Sequence, residues 1–330
     1  MEHTRRMRRI EVEAFGSLDE LSVTEGPDPT PGPGEVVVAV EAAGVNFVDA
    51  LIVQGAYQFT PPLPHTPGTE AAGVVCAIGD GVHAVEVGQR VVALPSTGGY
   101  SSHVVVPESA AIPVPENISA GQAAGLVQSY ATALYALTRR AHVAEGEWVA
   151  VLGAGGGVGL ATTDLATALG ARVIACASSA EKLSLATAAG AVATVDYEHE
   201  DVKTAIRERT DGRGADVVVD PIGGDKAEAA LRSLRWDGRY LVIGFAAGAI
   251  PALPLNQVLL NSRSVLGVEL GGLARRAPEE FSALVSEVMA LVASGTVHPP
   301  EPTPFPLADA GEVLADLQHR RLAGKAVLVP

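Results

Sequence analysis

A hydrophobic strand that turns on a cluster of glycines straight into a helix constrains this chain more than any other stretch: WVAVLGAGGGVGL, from Trp148 to Leu160. The segment reads as a strand over Trp148 to Leu152, a tight turn over Gly153 to Gly157, and an alanine-rich helix from Val158 to Leu169. The strand ARVIACA then closes a βαβ unit. Glycine serves two purposes in such a turn. The backbone takes angles that a Cβ forbids, and a pyrophosphate can lie against bare main chain, facing N–H groups at the positive end of the helix. The strict G-x-G-x-x-G spacing fails, because Val158 stands where the last glycine would be, yet Gly153, Gly156 and Gly159 fit a G-x-x-G-x-x-G variant. An ordinary strand-to-helix turn also carries glycines; the flanking strand and helix are what favour a dinucleotide site.

Dehydrogenases that prefer NAD place Asp or Glu about 20 residues further on to grip the ribose 2′-hydroxyl. This chain has Cys176, Ala177, Ser178 and Ser179 there. A carboxylate would repel a 2′-phosphate, whereas hydroxyls donate to one and Lys182, one helical turn on, neutralises it. NADPH is therefore the expected cofactor. Ser178 or Ser179 also suits the N-cap of a helix beginning at Ala180, and the two roles are compatible.

With 330 residues the chain is too long for one small core, and 48% hydrophobic residues give it ample material to bury. The net charge of −15 argues against nucleic-acid and anionic-membrane partners. The only basic run, Arg5, Arg6, Arg8 and Arg9, adjoins the strand IEVEAF and reads as a solvated terminus. No apolar stretch approaches the roughly 18 residues of a membrane span, and no apolar signal region follows the arginines, so a cytoplasmic location is expected. Cys76 and Cys176 fall inside apolar strand patterns, which predicts buried free thiols.

Two textures follow one another along the chain. Up to about residue 125, short apolar runs (EVVVAVEA, AAGVVCAIG, RVVALP, SSHVVVP) alternate with turn-dense segments such as PTPGPGE and TPPLPHTPGTE, a β-rich, barrel-like pattern. From Ala120 a helical tract leads into the βαβ unit, and strands then alternate with helices: ATVDY, DVKTAIRERT, ADVVVD, DKAEAALRSL, RYLVIG. That alternation predicts a doubly wound parallel sheet with right-handed crossovers. A helix EEFSALVSEVMALVASG, a short helix from Ala308 to Gln318 and a final strand KAVLVP complete the chain, with the tail returning to the first domain.

From PGPGEVVVAVEAAGVNFVDALIVQGAY through PHTPGTEAAGVVCAIGDGVHAVEVGQRVV and GAGGGVGLATTDLATALGARVIACASSAEK to the terminal GKAVLVP, the chain resembles the medium-chain dehydrogenase/reductase superfamily. Within it, the likeness is to the zinc-free quinone oxidoreductases related to zeta-crystallin. The resemblance implies a GroES-like β-rich partial barrel over 1–125 and 271–330, a Rossmann domain over 126–270, and a substrate cleft between them. Zinc-dependent relatives carry a cysteine after the AGV motif, a histidine in G-H-E and a four-cysteine lobe. Here Asn46 and Thr69 stand at the first two positions, and two cysteines cannot build the lobe. The histidines, His65, His83 and His103 among them, lack paired metal spacing and are assigned to solvent or packing. No metal is expected.

Without a Lewis acid, hydride transfer needs an easily reduced acceptor and hydrogen bonds to its developing oxyanion. Quinones fit this limit, as do α,β-unsaturated carbonyls: enals, enones or enoyl thioesters. Asn46 and Tyr57, bracketing NFVDALIVQGAY, the segment that the resemblance places along the cleft, are the candidate catalytic residues, with Asp49 orienting the loop. Asn46 also suits a turn cap, and Tyr57 an amphipathic cover. Resemblance places the helix carrying Gln128, Tyr130 and Thr132 by the nicotinamide, with Thr132 as the cofactor contact. It carries the pyrophosphate turn over to Gly156, Gly157, Val158 and Gly159, and the adenosine-phosphate loop to Ser178, Ser179 and Lys182, with Tyr197 beside it. The nicotinamide-side loop corresponds to Val242, Ile243, Gly244 and Phe245, a second segment to Val268, Glu269 and Leu270, and Lys325 is a further candidate near the cofactor. A non-catalytic NADPH-binding protein is the alternative of another class. The apolar strand SVLGVEL, Ser264 to Leu270, would leave a sheet edge in water and predicts a homodimer.

Overall fold

The apolar runs of the N-terminal part pair as antiparallel strands in the computed structural model, which describes residues 6–330; Arg5 lies outside them. Two compact units form: Met1–Leu126 with Pro300–Pro330, and Val127–Pro299. The helices Leu270–Arg276 and Pro278–Ala293 thus fall in the second unit, whereas the resemblance assigns 271–299 to the first. The cause is packing: Leu284, Val285, Val288 and Val292 of the longer helix are buried within the second unit.

In the first unit, strand Glu35–Gly44 is the centre of a seven-stranded sheet among the described residues. It pairs with Ala71–Ile78 along its length, with His103–Pro107 at its start and with Ala326–Val329 at its end. Register shifts between Val37 and Val38 and between Val40 and Ala42 mark bulges, which bend such a sheet. Val36, Val38, Val75, Val91, Val104 and Leu328 fill its core. The arginines Arg8 and Arg9 sit inside the strand Met7–Glu11 rather than ahead of it. Arg6 and Arg8 are exposed, as a solvated run would be; Arg6 also faces Glu25 at 3.8 Å and Arg9 pairs with Glu11. Cys176 is buried and free, as the pattern predicts. Cys76 is free but exposed, because strand alternation turns Val75 inward and its neighbour outward.

The second unit holds a six-stranded parallel sheet in the order 193–196, 172–177, 148–152, 215–220, 234–242, 264–267. Numbered along the chain, this is the 3-2-1-4-5-6 order of a Rossmann sheet, with its switch point between Trp148–Leu152 and Ala215–Asp220. Both strands are apolar throughout most of their length and buried, as central parallel strands must be with helices on both faces. The helical tract after Ala120 is not continuous. Helix Ala120–Ala124 ends at Gly125, and Val127–Ala131 and Tyr135–Arg140 are π-helical, separated by one α turn, Thr132–Leu134. The edge strand is shorter than SVLGVEL suggests: it ends at Gly267, and Leu270 opens a helix. No helix among the described residues is long and apolar enough to cross a membrane.

Candidate active site

The switch point puts two loops at the carboxyl ends of adjacent strands, where open α/β sheets take their ligands. Helix Gly157–Ala168 starts directly from the first loop, with Gly156 as its N-cap. The loop packs so closely that a Cβ on Gly159 would lie 2.2 Å from Gly153 O and 2.7 Å from Ala154 Cα. Gly156 is different: a Cβ there would meet only Gly153 O, at 3.6 Å. The turn is therefore tight on its inner side and open where an anion would approach the first-turn amides.

Ser178 and Lys182 meet beside this turn. Ser179 caps helix Ala180–Ala188 through Lys182 N, at 3.4 Å, while Lys182 Nζ reaches Ser178 Oγ at 3.5 Å. The stem of Lys182 lies against Gly155, where a Cβ would sit 2.4 Å from Lys182 Cβ. Tyr197 is held alongside by its own N–H, which donates to Ala177 O at 3.1 Å. A hydroxyl and an ammonium thus converge at the end of the second strand, where an anion finds two donors.

At the far side of the switch point, Val242 ends its strand and Ile243 N donates to Asp220 O at 2.9 Å. Ala246 N and Ala247 N continue the ladder to Pro221 O and Ile222 O at 3.1 and 2.9 Å, so the loop carrying Gly244 and Phe245 is fastened to its neighbour. Asp220 anchors that neighbour by accepting from Ile222 N (2.7 Å), Gly223 N (2.9 Å) and the Tyr240 hydroxyl. Burial pushes the Asp220 carboxyl up, and these donors pull it back. Val268 is buried and donates to Val242 O at 3.0 Å. Glu269 is exposed and faces Arg275 at 3.6 Å. Thr132 is buried in the α turn between the two π-helical stretches.

The first unit carries a separate polar network, and sheet register explains it. Antiparallel pairing sets Val327 opposite Gly44, and Val45 N donates to Ala326 O at 3.0 Å; carried one residue further, this register brings Lys325 to Asn46. On the other side Gly44 N donates to Glu70 O at 3.0 Å, which brings in Glu70. Lys325 Nζ donates to Val45 O at 3.0 Å and to Asn46 Oδ1 at 2.6 Å. Asn46 Nδ2 faces Gly44 O at 3.4 Å and Glu70 Oε2 at 3.5 Å. Asn46 is also the N-cap of helix Phe47–Val53, and its N–H donates to Asp49 Oδ2 at 2.9 Å. Asp49, fully buried, accepts from Thr69 Oγ1 and from the Tyr100 hydroxyl, each at 2.9 Å.

Burial raises the Asp49 carboxyl, against the lowering effect of Asn46 N–H, Thr69, Tyr100 and the Lys325 charge. Burial and then the neighbouring Asp49 drive the Tyr100 hydroxyl well above its usual range. Burial also lowers the Lys325 ammonium, with Glu70 and Asp49 opposing. Tyr57 lies half-buried in the bend after helix Phe47–Val53. Sequence reasoning named Asn46 and Lys325 but gave them separate roles, and it overlooked Glu70 and Tyr100. Nothing in the residue spacing joins Tyr100 to Asp49 or Lys325 to Asn46.

A zinc ion does not fit this arrangement. Asn46 Oδ1 is engaged by an ammonium, the Thr69 hydroxyl is spent on Asp49, and no group of three or more His, Cys, Asp or Glu among the described residues is placed to hold a metal.

Residues 32–116 match the alcohol dehydrogenase GroES-like domain family, and residues 157–290 match the family described as zinc-binding dehydrogenase. Quinone oxidoreductase-like protein 2 of Rattus norvegicus is 37% identical over 298 residues, 90% of this chain and 85% of that protein. Among solved structures, Escherichia coli quinone oxidoreductase complexed with NADPH is 33% identical with a TM-score of 0.88, covering 98% of this chain and 100% of that one. The CurK enoyl reductase is 26% identical with the same TM-score, covering 98% and 99%. The chain belongs to the medium-chain dehydrogenase/reductase superfamily of oxidoreductases, in its zinc-free quinone oxidoreductase branch.

Proposed function

We propose that this protein is a metal-independent, NADPH-dependent reductase whose acceptor is a quinone. The observation that carries the reading is the Lys325–Asn46–Glu70 network, in which Asn46 Oδ1 accepts from an ammonium and Asn46 Nδ2 is left with long contacts. Activation is then limited to hydrogen bonding, which suffices for acceptors that accept hydride readily.

The residues of the second unit suit NADPH. The first-turn amides of helix Gly157–Ala168, with Gly156, Val158 and Gly159, would take the pyrophosphate, and Ser178 with Lys182 the 2′-phosphate. The complex of the Escherichia coli relative with NADPH supports this choice. Ser179, Tyr197, Thr132, the Val242–Phe245 loop, and Val268 to Leu270 complete the proposed cofactor contacts. When bound, NADPH supplies the hydride. As the acceptor is reduced, negative charge would develop on its oxygen, and Asn46 Nδ2 and the Tyr57 hydroxyl would be the groups that donate hydrogen bonds to it. The two contacts that Asn46 Nδ2 now makes are long, so one proton can be redirected to the acceptor at small cost.

A second reading, reduction of α,β-unsaturated carbonyls, draws on the likeness to an enoyl reductase and on the same electron flow from carbon to oxygen. A panel of quinones, enals, enones and enoyl thioesters, with NADPH oxidation followed spectroscopically, separates the two. In that panel Asn46→Ala and Tyr57→Phe should lower turnover about tenfold with quinones and more with enones, at unchanged NADPH binding; a lost oxyanion donor costs about 2.7 to 4 kcal/mol where it dominates. Full turnover by both variants on both acceptors would remove these residues from the chemical step. A protein that binds NADPH but transfers no hydride to any acceptor in the panel is the non-catalytic alternative.

A further inference from the structure

Lys325 is placed by features that have no purpose in a surface lysine. Its stem passes over Gly125, the residue that ends helix Ala120–Ala124; a Cβ there would stand 2.9 Å from Lys325 Cγ and 3.1 Å from Cε. Only glycine leaves that path open. Register fixes its other end, since Ala326–Val329 pairs with the end of Glu35–Gly44. Two of the three ammonium protons are committed within the unit, to Val45 O and to Asn46 Oδ1. Carboxylates balance the ammonium charge, Glu70 from just before strand Ala71–Ile78 and Asp49 from helix Phe47–Val53, with Tyr100 and Thr69 facing Asp49.

An ammonium donates and never accepts, so the atom of Asn46 that faces it must be the carbonyl oxygen. The amide is thereby oriented: Oδ1 toward Lys325 and Nδ2 away from it, toward Gly44 O and Glu70. A charge-assisted bond at 2.6 Å also draws electron density out of the amide, which makes Nδ2–H a better donor. We propose that Lys325 is a positioning residue for the reduction, locking the Asn46 carboxamide so that Nδ2 is presented to the acceptor oxygen. The proposal rests on the reading of Asn46 as the oxyanion donor. It differs from a role for Lys325 as a direct cofactor contact, because the ammonium is spent inside the network and its effect passes through Asn46.

The test is steady-state kinetics with a quinone and an enone on Lys325→Met, Asn46→Ala and the double variant, with thermal melting to confirm folding. Lys325→Met should lower kcat up to the roughly tenfold effect of Asn46→Ala, more for the enone, with KM for NADPH within about twofold of the parent. In the Asn46→Ala background it should cost nothing further, since residues acting through one another are non-additive. Gly125→Ala keeps the ammonium but obstructs its stem; it should lower kcat in the same way, and serves if Lys325→Met does not fold. Unchanged kcat, a loss confined to KM for NADPH, or losses that multiply in the double variant would each overturn the positioning role. Full turnover by Asn46→Ala alone overturns the donor reading and this proposal with it, whereas a defect in Asn46→Ala beside a normal Lys325→Met overturns only the proposal.

Discussion

Replacing Lys182 by alanine should separate NADPH from NADH. Lys182 Nζ stands 3.5 Å from Ser178 Oγ at the end of strand Arg172–Ala177, and no carboxylate occupies the positions from Cys176 to Ser179. A 2′-phosphate there gains one charge-assisted hydrogen bond from the ammonium, worth roughly 1.5 to 3 kcal/mol, which is about 10- to 150-fold in affinity. Lys182 is half-buried, so solvent screening favours the lower half of that range at physiological salt. NADH has no 2′-phosphate and should lose almost nothing. Fluorescence titration with both cofactors reads the two affinities directly. Because the stem also packs against Gly155, Lys182→Met is the matched control: it keeps the aliphatic contact and should show the same NADPH-specific loss. Equal losses for NADPH and NADH in both variants would refute the reasoning and reduce Lys182 to a structural residue.

Two further expectations concern assembly and pH. Strand Ser264–Gly267 is the edge of the parallel sheet, and exposed Val265, Ile250, Leu255, Leu259 and Leu260 occur in or close before it, so the chain should dimerise through this edge; light scattering showing a monomer at micromolar concentration would contradict this. His65 is buried against Phe15, and neither ring nitrogen has a hydrogen-bond partner. Burial lowers its folded-state pKa below the ordinary 6.5. Above pH 6.5 both states are neutral and nothing is lost. Below it the unfolded chain takes up a proton first, and stability falls by at most about 1.4 kcal/mol per pH unit until the pH passes the folded value. Denaturation midpoints should therefore drop between neutral pH and pH 5, and less so in His65→Phe; identical slopes in the two proteins would rule His65 out as a source.

The Rossmann half of the fold was legible because its signals are local. Glycines at 153, 156 and 159 follow an apolar strand, and helix Ala180–Ala188 announces itself by Ser179. What escaped the sequence depends on pairing between distant segments. Lys325 meets Asn46 only through antiparallel register, and Tyr100 reaches Asp49 across the buried core, so no window of sequence contains either contact. The helix Pro278–Ala293 was assigned to the wrong unit for a related reason: its periodicity predicts a buried face but not which core that face meets. Similarly, SVLGVEL has strand propensity throughout, yet Glu269 and Leu270 turn into a helix once Val268 has closed the ladder to Val242.

The central claim is reduction without a metal, by hydrogen bonds that Lys325, Asn46 and Glu70 hold in place. The most direct measurement is NADPH oxidation by the purified protein with a quinone, before and after exhaustive chelation, paired with elemental analysis of the same sample. Undiminished turnover in protein with far less than one metal ion per chain is the expected result, since the network offers no metal site. Stoichiometric zinc, with activity lost on chelation and restored by adding it back, would contradict the account.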